Sequence, residues 1–306
     1  MAFTAKDVQA LREKTGVGMM DCKKALVETD GDMDKAIDYL REKGLAAATK
    51  KASRIAAEGA IIAYTDSTSK ISVLVEINSE TDFVAKNEEF ISFGTAVAKT
   101  IADNAPADVD ALLSLMLNGT DRTVQENLND KILSIGENIK IRRFQRVEGT
   151  VSSYVHGGGT VGVMVLFNTD KPDNEQFKVM GKDVAMQIAA MSPQYASAKD
   201  IPADVLEHEK EICIAQIKED PKMASKPQNV IEGIVKGRIA KYFKEVCLLE
   251  QAFVKDDSIS VAKYIENTAK ETGGTIELVS FVRFAKGEGL QKREDNFADE
   301  VANMVN

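Results

Sequence analysis

Gly157-Gly-Gly-Thr-Val-Gly162 satisfies the G-x-G-x-x-G spacing with which a dinucleotide enzyme opens a helix beneath a pyrophosphate. Here the run that follows, Val161 to Phe167, alternates as a strand, and no Lys-Ser/Thr pair follows, so the glycines read as a hairpin turn. No P-loop, GxSxG or HExxH occurs elsewhere. The three cysteines, Cys22, Cys213 and Cys247, are odd in number and far apart, and the only histidines are His156 and His208. Neither nucleophilic nor metal catalysis has a residue set to stand on. The expectation is a protein that is not an enzyme and needs no cofactor or metal.

What remains is suited to contact. His156 sits at the mouth of the glycine turn, either as a surface residue or as one that touches a partner. Met19 and Met20 follow Gly16-Val-Gly18, and since adjacent residues cannot both face inward, at least one is expected to be an exposed, adaptable apolar contact. The sharpest feature is Thr81-Asp-Phe-Val-Ala85, between a strand ending at Asn78 and a helix beginning near Asn87. Thr81 or Asp82 could cap that helix. Capping leaves Phe83 unexplained: it either staples the helix to the sheet or stands out for a partner.

The chain that must position these residues has 306 of them, enough for two or three domains with cores of their own. Hydrophobic residues at 44% and charged residues at 28% exclude disorder and fibrous repeats. Lys+Arg number 39 against 48 Asp+Glu, a net charge of −9 that disfavours direct nucleic-acid or anionic-membrane binding. The longest apolar run, Val161 to Phe167, has seven residues against the ~20 of a membrane span, and the first residues lack an apolar leader. With thiols that suit a reduced compartment, a cytoplasmic location is expected.

Residues 1–53 read as three short helices: one capped by Thr4, a second with Asp21 placed as its cap, and a third capped by Asp32. Ala46 to Ala57, small and basic, reads as a linker or a helical extension. The period then changes to two, and the segment recurs. Gly59-Ala-Ile-Ile-Ala-Tyr64 lines up with Gly149-Thr-Val-Ser-Ser-Tyr154, and Ile71 to Asn78 lines up with Val161 to Asn168. After a shift, Asn87-Glu-Glu-Phe90 lines up with Asn174-Glu-Gln-Phe177, followed by helices through Gly94 and Gly181. Between the copies lie a helix, Val124 to Ile135, and an alternating strand, Gly136 to Arg143. After them come a helical hairpin, Val205 to Lys218 and Val230 to Phe243, then a helix (Val261 to Glu271), a strand (Ile276 to Phe284) and a final helix around Met304. The hairpin carries an apolar stripe that a second copy of the chain could cover.

A duplication separates scaffold from function without an alignment. What the copies share is scaffold, and what one alone possesses is a candidate for function. Eight residues, Ser79 to Lys86, separate Asn78 from Asn87 in the first copy, whereas five separate Asn168 from Asn174 in the second. The surplus contains Phe83.

Leu11-Arg-Glu-Lys-Thr-Gly-Val-Gly-Met-Met-Asp-Cys-Lys-Lys-Ala-Leu26 and Glu76-Ile-Asn-Ser-Glu-Thr-Asp-Phe-Val-Ala-Lys86 resemble the two signatures of the elongation factor Ts family, and the resemblance extends over essentially the whole chain. It implies an α+β protein: a three-helix ubiquitin-associated-like bundle at 1–53, a core subdomain carrying the TDFV loop at 54–148, and a second core subdomain from 149–203 and 246–286. A helical-hairpin insertion at 204–245 and a C-terminal helical module at 287–306 complete it. The implied activity is guanine-nucleotide exchange on elongation factor Tu, without bond-making chemistry. The TDFV loop, Thr81, Asp82, Phe83 and Val84, would enter beside the magnesium and phosphate site of that GTPase. Further contacts are implied for Arg12, Met19, Met20 and Lys23, for Ile135 and Gly136, for His156, and for Met304. The third glycine after His156 and the short tail after Met304 depart from the family pattern, and Ala105 to Asn129 is longer than its usual counterpart.

Overall fold

A computed structural model describes residues 3–66, 68, 70–219 and 226–291. The chain begins with helices α1 (Ala5–Thr15), α2 (Met19–Glu28) and α3 (Met33–Lys51). Thr4 and Asp7 form a capping box on α1, and the Asp32 side chain caps α3. Asp21, expected as a cap, lies instead within the first turn of α2, whose cap is Gly18; there its charge still favours the positive end of the helix. The basic run after Ala46 extends α3 to Lys51, since Ala and Lys are strong helix formers and no breaker intervenes. Leu11, Cys22, Ala25, Leu26, Ala36 and Leu40 fill the centre of the bundle.

Next come β1 (Glu58–Thr65), β2 (Ile71–Ser79), α4 (Glu88–Asn104), a short α5 (Val109–Leu113), α6 (Val124–Ile135) and β3 (Lys140–Glu148). Strands β1 and β2 pair antiparallel in an unbroken register from Glu58↔Ser79 to Thr65↔Ser72, with β3 beside β2. The strand expected from Gly136 starts at Lys140, because Gly136 is still the left-handed cap of α6. The long stretch after Ala105 closes the core: Leu112, Leu117, Val124 and Leu128 are buried with Phe90, Val97 and Ile101 of α4.

The second copy follows as β4 (Thr150–His156), β5 (Val161–Thr169) and α7 (Glu175–Met191). A helical hairpin, α8 (Ala203–Glu219) and α9 (Gln228–Val246), leads to the small pair β6 (Ala252–Phe253) and β7 (Asp256–Ser260), then α10 (Val261–Thr272) and β8 (Ile276–Ala285). The second sheet has the order β4-β5-β8, matching β1-β2-β3. The final helix expected around Met304 lies outside the described residues. The chain divides into two compact units. Among the described residues, one comprises 3–146, 155–162 and 284–291, and the other 147–154 and 163–283.

The duplication holds in atomic detail. Asn87 and Asn174 cap α4 and α7 with their side chains, and Ala105 and Ser192 end those helices in the left-handed conformation, at φ 47° and 50°. A Cβ added at Gly94 would lie 2.0 Å from Ile62 Cδ1, and one added at Gly181 would lie 2.0 Å from Ser152 Oγ. Each helix thus reaches its sheet through a glycine set against the same strand position. The repeat also runs further than the sequence suggested. Gly136 and Gly273 cap α6 and α10 alike; the Asn138 N–H donates to Glu80 Oε1 at 2.6 Å and the Thr275 N–H to Asp170 Oδ1 at 2.8 Å. The architecture is α+β, as expected.

Candidate partner-binding surface

The loop after β2 is pinned at both ends. Glu137 accepts hydrogen bonds at Oε2 from the backbone N–H groups of Glu80 and Thr81, each at 3.0 Å, and at Oε1 from the Thr81 hydroxyl at 2.6 Å. The Thr81 carbonyl accepts from the Ser79 hydroxyl at 2.9 Å. On the far side Val84 and Ala85 are buried in the core, and a turn of 3-10 helix over Val84–Lys86 closes with the Lys86 N–H donating to the Phe83 carbonyl. Between these anchors Asp82 and Phe83 face outward, Phe83 with 79% of its surface exposed. Asp82 pairs with Lys86 at 3.2 Å. Neither Thr81 nor Asp82 caps α4, since Asn87 does so, and Phe83 staples nothing.

A single exposed phenylalanine is ordinary on a protein surface. This one lines a groove of about 380 Å³ together with Arg12, Gly16, Val17, Gly18, Val84 and Ile135. What brings residues so distant in sequence together is the packing of α3 on α6. Gly44 lies buried against the backbone of Asn129, Ala48 packs on the core of the first copy, and Leu133 of α6 packs on the bundle. The Lys51 ammonium donates to the Ile132 carbonyl at 3.0 Å. Burial lowers its pKa, as the neighbouring Arg54 does.

The helical bundle presents Arg12 and the Gly16–Gly18 loop between α1 and α2 to that groove. Arg12 and Lys23 are exposed, as are both methionines, Met19 at 42% and Met20 at 74%. Both can face outward because α2 turns Cys22, Ala25 and Leu26 inward. Beneath the Gly16–Gly18 loop the Cys22 thiol donates to the Val17 carbonyl, and burial pushes its pKa up, the mark of an inert structural thiol. Ile135 is half-buried, and Gly136 is exposed at φ 87°. His156 is exposed on a hairpin tip whose Gly159 and Thr160 carbonyls accept from the Ile61 and Lys286 N–H groups, and it is not among the residues of the groove. Met304 lies outside the described residues.

Two residues that sequence reasoning left without a role hold this surface from within. Glu137 is one; the signal for it was available, since the first copy has Glu137 where the second has Gly274. Glu76 is the other. It is fully buried, accepting from Arg143 Nε at 2.6 Å, the Gly287 N–H at 2.8 Å, and Arg142 and Asn78 at 3.1 Å. Burial pushes its carboxyl up, but the bonds from Gly287, Asn78 and Arg143 outweigh that and hold it below its ordinary value. The Arg143 guanidinium also lies over the Phe284 ring, 4.3 Å from its centre. Glu76 therefore ties β2 to β3 directly upstream of the loop.

No group of His, Cys, Asp and Glu among the described residues could hold a metal ion, and no described helix is long and apolar enough to cross a membrane. Residues 80–288 match the family described as "Elongation factor TS". The chain is 49% identical over 308 residues to an elongation factor Ts of Syntrophotalea carbinolica, covering 100% of both chains. It is 51% identical over 305 residues to one of Clostridium perfringens, covering 99% of each. This chain belongs to the elongation factor Ts family. A third relative, the elongation factor Ts of Trichlorobacter lovleyi, is 49% identical over 99% of this chain and 98% of its own.

Proposed function

We propose that this chain is a guanine-nucleotide exchange factor that binds the GDP complex of elongation factor Tu and promotes release of GDP, so that GTP can take its place. The observation that carries the reading is Phe83, an apolar ring held in water between two anchored ends and beside the bundle's exposed loop. In this reading Asp82 and Phe83 enter next to the GTPase's magnesium and phosphate site, Asp82 as a competing negative charge and Phe83 as a wedge. Burying one phenylalanine contributes ~1.5 to 3 kcal/mol. At ~1.4 kcal/mol per factor of ten, that speeds release roughly ten- to a hundredfold. A nucleotide held by a metal ion and a phosphate loop requires more. The remainder comes from surfaces that bind the empty GTPase better than the GDP form, and by linkage GDP weakens the factor by the same ratio.

Arg12, Met19, Met20 and Lys23 on the bundle, Ile135 and Gly136 at the end of α6, His156 on the hairpin tip and Met304 are assigned to those surfaces. The division into a 1–53 bundle, two core subdomains, a 204–245 hairpin and a 287–306 module belongs to the same reading. So does a homodimer through the hairpin, where Ile214, Ile231, Val235 and Phe243 line an apolar groove of about 660 Å³. The protein makes and breaks no bond, and acts in the cytoplasm, where its partner works. The test is release of a fluorescent GDP from elongation factor Tu at substoichiometric amounts of this chain. Many turnovers per molecule support the reading, and an unchanged off-rate refutes it.

A further inference from the structure

We infer that Glu137 is the positioning residue of the exchange loop, an anchor the first copy gained together with its insertion. The inference rests on the exchange reading above for its functional half and on geometry alone for its structural half. Glu137 follows Gly136, the left-handed cap of α6. The same place in the second copy follows Gly273, the left-handed cap of α10, and is Gly274. In both copies the next residue's N–H, from Asn138 or Thr275, is held by the acidic residue just after the second strand of the copy, Glu80 or Asp170. The two backbones therefore superpose in role up to that position, and the difference between them is a side chain. A Cβ at position 274 would fall 2.5 Å from Asp170 Oδ1 and 2.6 Å from Lys171 Cγ, so in the second copy those two side chains occupy the space a larger residue would need. In the first copy the corresponding residue carries a side chain, and the Glu137 carboxylate takes three hydrogen bonds from Glu80 and Thr81 of the longer loop.

Those bonds fix the residue immediately before Asp82. With Val84 and Ala85 buried on the other side, only two residues span the anchors, so the direction of Phe83 is set before any partner arrives. A loop ordered in advance loses less conformational freedom on binding than one that must settle during it. Hydrogen bonds to a charged acceptor are the stronger kind, and three converge on this one carboxylate.

The experiment uses the full chain. It contains no tryptophan, so Phe83→Trp supplies one reporter on the loop itself. Into this background and into the unaltered chain are placed Glu137→Ala, which removes the acceptor, and Glu137→Gln, which keeps one acceptor oxygen as a conservative rescue. Unchanged far-ultraviolet dichroism confirms that each is folded; Gln substitutes as the test variant should Ala not fold. Glu137→Ala is expected to lower the fluorescence anisotropy of the indole reporter in the isolated protein and to cut the saturating rate of GDP release about tenfold, with Gln between Ala and the parent for both. Anisotropy and saturating rate both equal to the parent's overturn the inference. Lowered anisotropy with an unchanged rate shows that Glu137 anchors the loop but that the loop does not drive exchange, which contradicts the positioning role in exchange. Failure of the parent chain to accelerate release at all is the separate failure of the exchange reading.

Discussion

Asp82 and Lys86 form an ion pair at 3.2 Å across a single turn, both side chains largely in water. The carboxylate that the proposed exchange mechanism directs at the GTPase is therefore already occupied by a cation of its own chain. Engagement must exchange that partner for another, and the pair is weak enough to permit it.

Substituting Lys86→Met leaves Asp82 unpaired without touching the core. The expected outcome is an unchanged melting temperature and an exchange activity equal to or a few times above the parent's at low salt. The difference should vanish at high ionic strength, where exposed charges are screened. Stopped-flow release of fluorescent GDP across a salt series checks this, and a salt-independent loss of activity would show that Lys86 makes a contact of its own.

Glu76 gives the protein an acid-sensitive strut. Its carboxyl is held below the ordinary value of 4.5, so its contribution to stability is complete above that value and is lost as the pH falls through the lower, folded one. Glu76→Gln removes a fully buried charge from between Arg142 and Arg143 and is expected to destabilise by about 3 to 5 kcal/mol at neutral pH. It should also flatten the decline of stability below pH 4.5. Urea melts of both proteins from neutral to acid pH measure this; parallel curves would place the acid sensitivity elsewhere.

Gly94 touches the sheet through Ile62, and only Cδ1 of that side chain stands within 3 Å of an added Cβ. Gly94→Ala should destabilise by ~1 to 3 kcal/mol. Ile62→Val deletes that one methyl group, so the double substitution should be less destabilised than the sum of the two single ones. Additive effects in thermal melts would mean that α4 moves as a body to admit the methyl group.

The sequence made the scaffold readable where period and punctuation were strong. Asn87 and Asn174 announced two helices, and the glycines from Gly157 a hairpin turn, because caps and turns are decided within a few residues. The TDFV insertion was legible for the same reason, as a difference in length between two copies of one unit. Other features were not. Asp21 satisfied a local rule for capping, yet Gly18 took the position, since burying Cys22 and Leu26 fixes where α2 starts. Thr81 and Asp82 likewise fitted a cap, but Asn87 stood nearer the helix. The gathering of Arg12, Phe83 and Ile135 around one groove depends on α3 meeting α6 at Gly44, a long-range contact that no window of sequence contains. Glu137 went unread because its counterpart lay beyond the segment that had been recognised as repeated.

The proposed exchange mechanism depends most directly on Phe83. Fluorescent GDP release from elongation factor Tu, measured at saturating amounts of the parent chain and of Phe83→Ala, tests it in one titration. The expected release rate is roughly ten- to a hundredfold lower for Phe83→Ala, with an unchanged melting temperature because the ring is exposed. Equal release rates for the two proteins would contradict it.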